Sequence, residues 1–253
     1  MGTCLLDGPA PLERAVAFVG ERLELARRQG LRSLEADMLH VLGSAEARRG
    51  HFDQARLALK ASTAISEELG LAYMSQWATR SLGHLELAAG DPRAAERAFR
   101  WSYDVLTEME LKSSLGEAAV PLADSLYEQG RYGEAEDFLD AVKDDWASGD
   151  ASVEAPRLAV RGKLLAARGW QRHAERTVER ALRLVRRTDW ACLRADTLLA
   201  HAEVLELGDR LDEAVSSCHE ALRVAEAKGY AVAALESRAR LDRLGKEVTE
   251  RVS

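Results

Sequence analysis

Trp77, Arg80 and His84 stand at positions i, i+3 and i+7, a spacing that brings all three onto one stripe of a helix. An indole, a guanidinium and an imidazole so placed could hold a carboxylate or stack on a planar ligand. They do not compose a reaction centre. Asp37, His40 and Ser44 have the same phase earlier in the chain, and Glu117, Val120, Asp124, Tyr127 and Lys163 have it later, followed by Asp196, Leu199, Glu203 and Glu206. A second charged set, Arg172, Arg176, Arg180, Arg183 and Arg187, runs along one helical face opposite Ala174, Val178, Ala181 and Val185. Five arginines in line fit an acidic partner, although Glu175 and Glu179 lie among them and such stripes are commonly just solvated faces.

Other chemistry is conspicuously missing from the sequence. There is no Gly-x-x-x-x-Gly-Lys phosphate loop, His-Glu-x-x-His zinc helix, Cys-x-x-Cys pair or Gly-x-Ser-x-Gly elbow, which argues against an enzyme and against a bound cofactor. The six histidines are scattered, and Cys218 and His219 are helical neighbours whose side chains diverge, so no metal site is expected. Cys4, Cys192 and Cys218 are an odd number without paired spacing, which fits reduced thiols in the cytoplasm. A net charge of −7 speaks against a general nucleic-acid binder, and no aromatic platform accompanies the arginines. No basic leader precedes an apolar stretch, and no run reaches the ~20 apolar residues of a spanning helix, so neither secretion nor membrane insertion is expected.

The elements that must position these residues repeat. In Gly90-Asp91-Pro92-Arg93-Ala94-Ala95 one helix ends and another begins: Gly90 suits a left-handed helix end, Asp91 an N-cap, and Pro92 the first helical position. The same step returns around Ala15, Ala55, Ala95, Ala135, Ala174 and Ala214, at intervals of 40, 40, 40, 39 and 40 residues. A stacked array requires that regularity; a single globular core has no reason to produce it. First (A) helices are expected over 31–49, 71–89, 112–129, 155–168 and 191–207, and second (B) helices over 53–69, 92–109, 133–146, 171–187 and 211–228. A lone B-type helix over 12–29 opens the array, so that Met1 is either a true start or the cut end of something longer. An A-type helix from 231 to about 250 closes it, shortened if Gly245 breaks it. Residues 1–11 read as an irregular lead-in and 12–253 as one domain. Twelve residues before each turn alanine comes a small residue, Gly43, Gly83, Ala123, Gly162 or Ala202, and four after it comes Leu59, Phe99, Leu139, Val178 or Cys218. Pro121 falls inside the third A helix, and Asp209 stands where a turn glycine is expected.

Leu42-Gly43, Leu82-Gly83 and Ala95-x-x-x-Phe99 resemble the tetratricopeptide repeat, although the period exceeds the usual ~34 residues and Glu46 or Glu86 replaces its tyrosine. The wording of Gln129-Gly130-Arg131-Tyr132, Leu211-Asp212-Glu213-Ala214 and 221–229 is similar to the C-terminal helical regions of multidomain bacterial cyclase-like proteins and large ATP-binding transcription activators. The resemblance implies an all-α, right-handed solenoid of tetratricopeptide-like hairpins with 39–40-residue repeats, in which the A helices line a groove. It also implies a non-enzymatic scaffold or sensor that holds a protein or peptide segment, or a small effector, in bacterial signalling or transcriptional regulation. The groove contacts would be Asp37, His40, Ser44, Trp77, Arg80, His84, Glu117, Asp124, Tyr127 and Lys163. As an alternative, the acidic stretch 104–154 of one copy meets the arginine face of another, and the protein is a self-associating arm.

Overall fold

A computed structural model describes residues 6–142 and 150–252, with side chains as far as residue 247. Its helices are α1 (Leu12–Gln29), α2 (Arg32–Arg48), α3 (Phe52–Glu68), α4 (Ala72–Ala88), α5 (Pro92–Glu108), α6 (Leu115–Tyr127), α7 (Tyr132–Ala141), α8 (Ala151–Ala167), α9 (Gln171–Val185), α10 (Ala191–Leu207), α11 (Leu211–Lys228) and α12 (Ala231–Val252). No strand occurs among the described residues. Two compact units are present, one holding α1–α7 and the other α8–α12 together with Asp7–Pro9. Within each unit every helix packs on the next, and A helices also touch the A helix of the following repeat: α2 with α4, α4 with α6, α8 with α10, α10 with α12.

The turns form as their residues dictate. Gly90 takes φ +83° and Asp91 caps α5, its carboxylate accepting from the Ala94 amide at 2.9 Å. Asp209, in the glycine's place, is indeed left-handed at φ +61°. The amide after each turn residue reaches back to close the preceding helix, as in His51 N–H to Glu46 O (2.9 Å) and Arg131 N–H to Leu126 O (2.9 Å). A second left-handed series, at Gly30, Gly70, Glu110 and Gly229, joins α1 to α2, α3 to α4, α5 to α6 and α11 to α12, whereas the connection from α9 to α10 has no left-handed residue. Glu110 is the strained member, because a Cβ in that conformation costs roughly 1 kcal/mol that glycine avoids.

The small-to-large slots explain how each hairpin closes. All six turn alanines are fully buried. A Cβ added to Gly83 would lie 2.6 Å from Phe99 Cε1, one on Gly43 2.7 Å from Leu59 Cγ, and one on Gly162 would collide with Val178. The glycines let A and B backbones approach until the large B-helix side chain fills the gap.

Several boundaries differ from the sequence reading. α8 begins four residues early, at Ala151, because Asp150 caps it through the Ser152 amide (2.8 Å), and Pro156 sits inside it. Lys112–Ser114 form a 3₁₀ turn before α6. α9 ends at Val185, leaving Arg187 beyond the helix. α12 runs through Gly245 without a break, since a single glycine weakens a helix but does not bar it. The end of the third B helix, with Asp144, Asp145 and Trp146, and the first five residues with Cys4 lie outside the described residues.

Candidate functional site

In the first unit, α2, α4 and α6 bring the predicted residues into rows 40 positions apart. Asp37, Trp77 and Glu117 make one row; Ser44, His84 and Asp124 make another. Between them, His40 Nε2 lies 2.9 Å from Ser81 Oγ, and its ring faces Trp77 at 6.2 Å between centroids. Tyr73 packs on the other side of Trp77 at 4.9 Å, so the indole is half-buried. It is therefore both a packing residue and a wall. Its Nε1 is buried without a hydrogen-bond acceptor, and so is Ser44 Oγ without a partner.

Arg80 does not stand free as the stripe implied. Its guanidinium donates to Glu117 at 2.5 Å, so two predicted contacts neutralise each other across repeats. Burial, followed by the nearby Arg80 and Arg48 charges, pushes the His40 imidazole down to about 4. His40 is thus neutral at pH 7. His84 is exposed and stands edge-on to Phe99 at 5.0 Å. Its charged form is disfavoured in the same direction, first by the surrounding protein and then by Arg80. Desolvation raises the pKa of Asp37, opposed in part by the attraction of the chain's N-terminal ammonium.

An open groove of about 910 Å³ runs between α2 and α4, lined by Leu31, Leu69, Met74, Asp37 and Trp77 among others. Leu31 and Leu69 remain 45% and 43% exposed. Sequence reasoning passed over these apolar residues, although the second glycine series marks them, since Leu31 follows Gly30 and Leu69 precedes Gly70.

Other predicted contacts are not presented to solvent. Tyr127 is buried against Tyr132, 5.3 Å between ring centroids, and Val120 and Leu199 are buried as well. Lys163 is buried at 6% exposure, whereas its equivalent His84 is exposed. Helical phase gives a side chain's direction, but how closely the neighbouring helices pack decides whether solvent reaches it. Asp124 is half-buried. Glu203 and Glu206 serve the closing helix: Arg240 meets Glu203 at 3.2 Å, and Arg243 meets Glu206 at 2.7 Å.

In the second unit the arginines of α9 are exposed. Arg180 reaches Glu154 at 3.3 Å and Arg183 only approaches Glu179 at 3.9 Å. Arg172, Arg176 and Arg187 pair with no described residue. Trp170, 59% exposed, immediately precedes this helix. Cys192 and Cys218 are buried and form no disulfide, and burial pushes Cys218 up to about 11, which leaves it unreactive. Among the described residues there is no group of three metal-ligating side chains, and no helix is long and apolar enough to cross a membrane.

Hairpins of 39–40 residues with a small-to-large slot and a left-handed turn define an all-α solenoid of the tetratricopeptide type. No known family profile matches the sequence, and no curated protein matches it. Solved structures share the fold. BtubC (BKLC) from P. vanneervenii is similar at a TM-score of 0.61 and 18% identity, over 85% of this chain and 91% of that one. A Rap protein complexed with competence and sporulation factor gives a TM-score of 0.63 at 12% identity, over 94% and 71%. A signal transduction ATPase with numerous domains and a tetratricopeptide repeat sensor, from Pyrococcus horikoshii, gives 0.59 at 15% identity, over 94% of this chain and 37% of that one.

Proposed function

We propose that this protein is a non-enzymatic interaction scaffold or sensor that holds a peptide segment of a partner, or a small effector, against the A helices of its first unit. The observation that carries this reading is the open groove between α2 and α4, where apolar side chains, a tryptophan and the Asp37 carboxylate meet. Its walls are helices braced by packing, so the surface is pre-formed and a ligand loses little affinity to ordering it. Two proteins of the same fold add support: one was solved with competence and sporulation factor bound, and the other carries its repeats as a sensor. A bacterial regulatory role in the cytoplasm is the setting we assign, as the working arm of a larger regulator or beside one.

Native mass spectrometry of the protein purified from its host tests this. We expect an added mass on the wild type that Trp77→Ala loses while its melting curve stays cooperative. Retention of that mass by the variant sinks the groove reading.

The unpaired arginines of α9 favour a second reading, self-association. Arginines four apart repel by a few tenths of a kcal/mol per pair, and an acidic face of another copy, such as α7 with its exposed Asp137, would neutralise them. Reversing Arg176 and Arg180 to glutamate should then reduce the sedimenting mass, as should raised salt. An unchanged monomer in every condition removes this reading.

A further inference from the structure

We infer that the acidic face met by the α9 arginines is α1 of a second copy, lying antiparallel so that Glu24, Glu21 and Glu13 face Arg172, Arg176 and Arg183. This rests on the self-association reading above and names its interface. Both are B-type helices. Aligned through their turn alanines, Ala174 and Ala15, the arginine positions of α9 correspond to Glu13, Ala17, Glu21, Glu24 and Arg28 of α1. Every one of these residues is exposed in both helices. Glu13, Glu21 and Glu24 make neither hydrogen bond nor ion pair with any described residue. Arg172 and Arg176 are equally uncommitted, and Arg183 only approaches Glu179 at 3.9 Å. Neither α5 nor α7 offers such a face. The same positions of α5 mix Arg93 and Arg97 with Asp104 and Glu108, and those described in α7 hold one carboxylate, Asp137.

The direction follows from the order of charges. Residues four apart on either helix are separated by about 6 Å along its axis, so the two stripes can meet side chain to side chain. Laid antiparallel, Glu24 at Arg172 carries Glu21 to Arg176, Ala17 to Arg180 and Glu13 to Arg183. Arg180 needs no glutamate there, since it already reaches Glu154 at 3.3 Å. Arg28, the cation of the α1 stripe, falls past the start of α9. Leu25, 42% exposed, and Trp170, 59% exposed, come to that same end and cover apolar surface on each other. A parallel arrangement with Glu13 at Arg172 would instead set Arg28 against Arg187, and the two helix dipoles would repel as well. Exposed ion pairs contribute little singly, so the contact is weak and sensitive to salt.

Sedimentation of the full-length protein at rising concentration in low salt tests this. The wild type should gain mass. Glu13→Lys, Glu21→Lys and Glu24→Lys together should lower the association constant about tenfold or more, and so should Arg172→Glu, Arg176→Glu and Arg183→Glu together. One chain carrying all of these reversals should associate again as the wild type does, which a damaged fold would not do. Suppose the lysine variant associates like the wild type while the glutamate variant does not, or the fully reversed chain stays monomeric. Either result overturns the pairing with α1 and leaves self-association through α9 standing. A wild type that is monomeric at every concentration, or a glutamate variant that associates undiminished, overturns both.

Discussion

Among single residues, His40 couples packing to protonation. Its folded pKa of about 4 lies well below the ordinary value near 6.5, with burial the first cause. Between those values the unfolded chain binds a proton that the folded one refuses. Stability should therefore be complete above pH 6.5 and fall as the pH drops towards 4. Asp37, whose pKa is raised, acts in the opposite sense and gains stability as it protonates. Paired carboxylates such as Glu35 and Glu220, held low chiefly by Arg27 and Arg194, lose their contribution only below the ordinary glutamate range. His40→Gln isolates the imidazole: urea unfolding should show a shallower loss from pH 6.5 to 4, by on the order of 1 kcal/mol. His201, also lowered by burial, leaves a residual slope in that variant. Equal slopes in both proteins would show that His40 is not desolvated as described.

Between elements, the hairpin depends on close approach at one small residue. Gly83→Ala drives a methyl into the fully buried Phe99 ring and should cost about 1–3 kcal/mol by overpacking. Gly20→Ala, in α1 with nothing within 4 Å of the new Cβ, should instead stabilise by up to about 1 kcal/mol through helix propensity. Thermal melts of the two variants check the pair, and a shift of the same sign in both would contradict the slot argument. The repeats are also tied by charge. Arg131 at the start of α7 spans Glu134 and, in the previous repeat, Glu96 at 2.7 Å, and Arg210 at the start of α11 does likewise with Glu213 and Glu175. Burial alone would raise the Glu96 carboxyl, but Gln129, Arg100 and Arg131 more than offset it and hold it below its usual range. These clamps sit at homologous positions, so they set register between successive hairpins more than they add stability.

Among the described helices each packs chiefly on the next along the chain, and stability is distributed along the array rather than held in one centre. Phe99→Ala should cost about 3–5 kcal/mol, and its effect should be local. Hydrogen exchange read by mass spectrometry should show α4, α5 and α6 losing protection first, while α10, α11 and α12 exchange as in the wild type. Uniform loss along the chain would mean that the two units unfold as one.

The helices and their phase were legible in the amino-acid sequence, because left-handed turns, caps and the glycine slots are local requirements written at a 40-residue interval. Asp209 at the turn and the exposed arginines of α9 could be read in that way. The second glycine series was equally visible, but its meaning became plain only when Leu31 and Leu69 proved to open a groove beside it. Tertiary structure alone decided which outward-phased side chains reach solvent: Asp37 and His84 do, Tyr127 and Lys163 do not, and Arg80 is taken by Glu117. Helical periodicity orients a side chain within its own helix. Its exposure and its charge partner depend on residues about 40 positions away, whose distance is set by packing and not by local sequence.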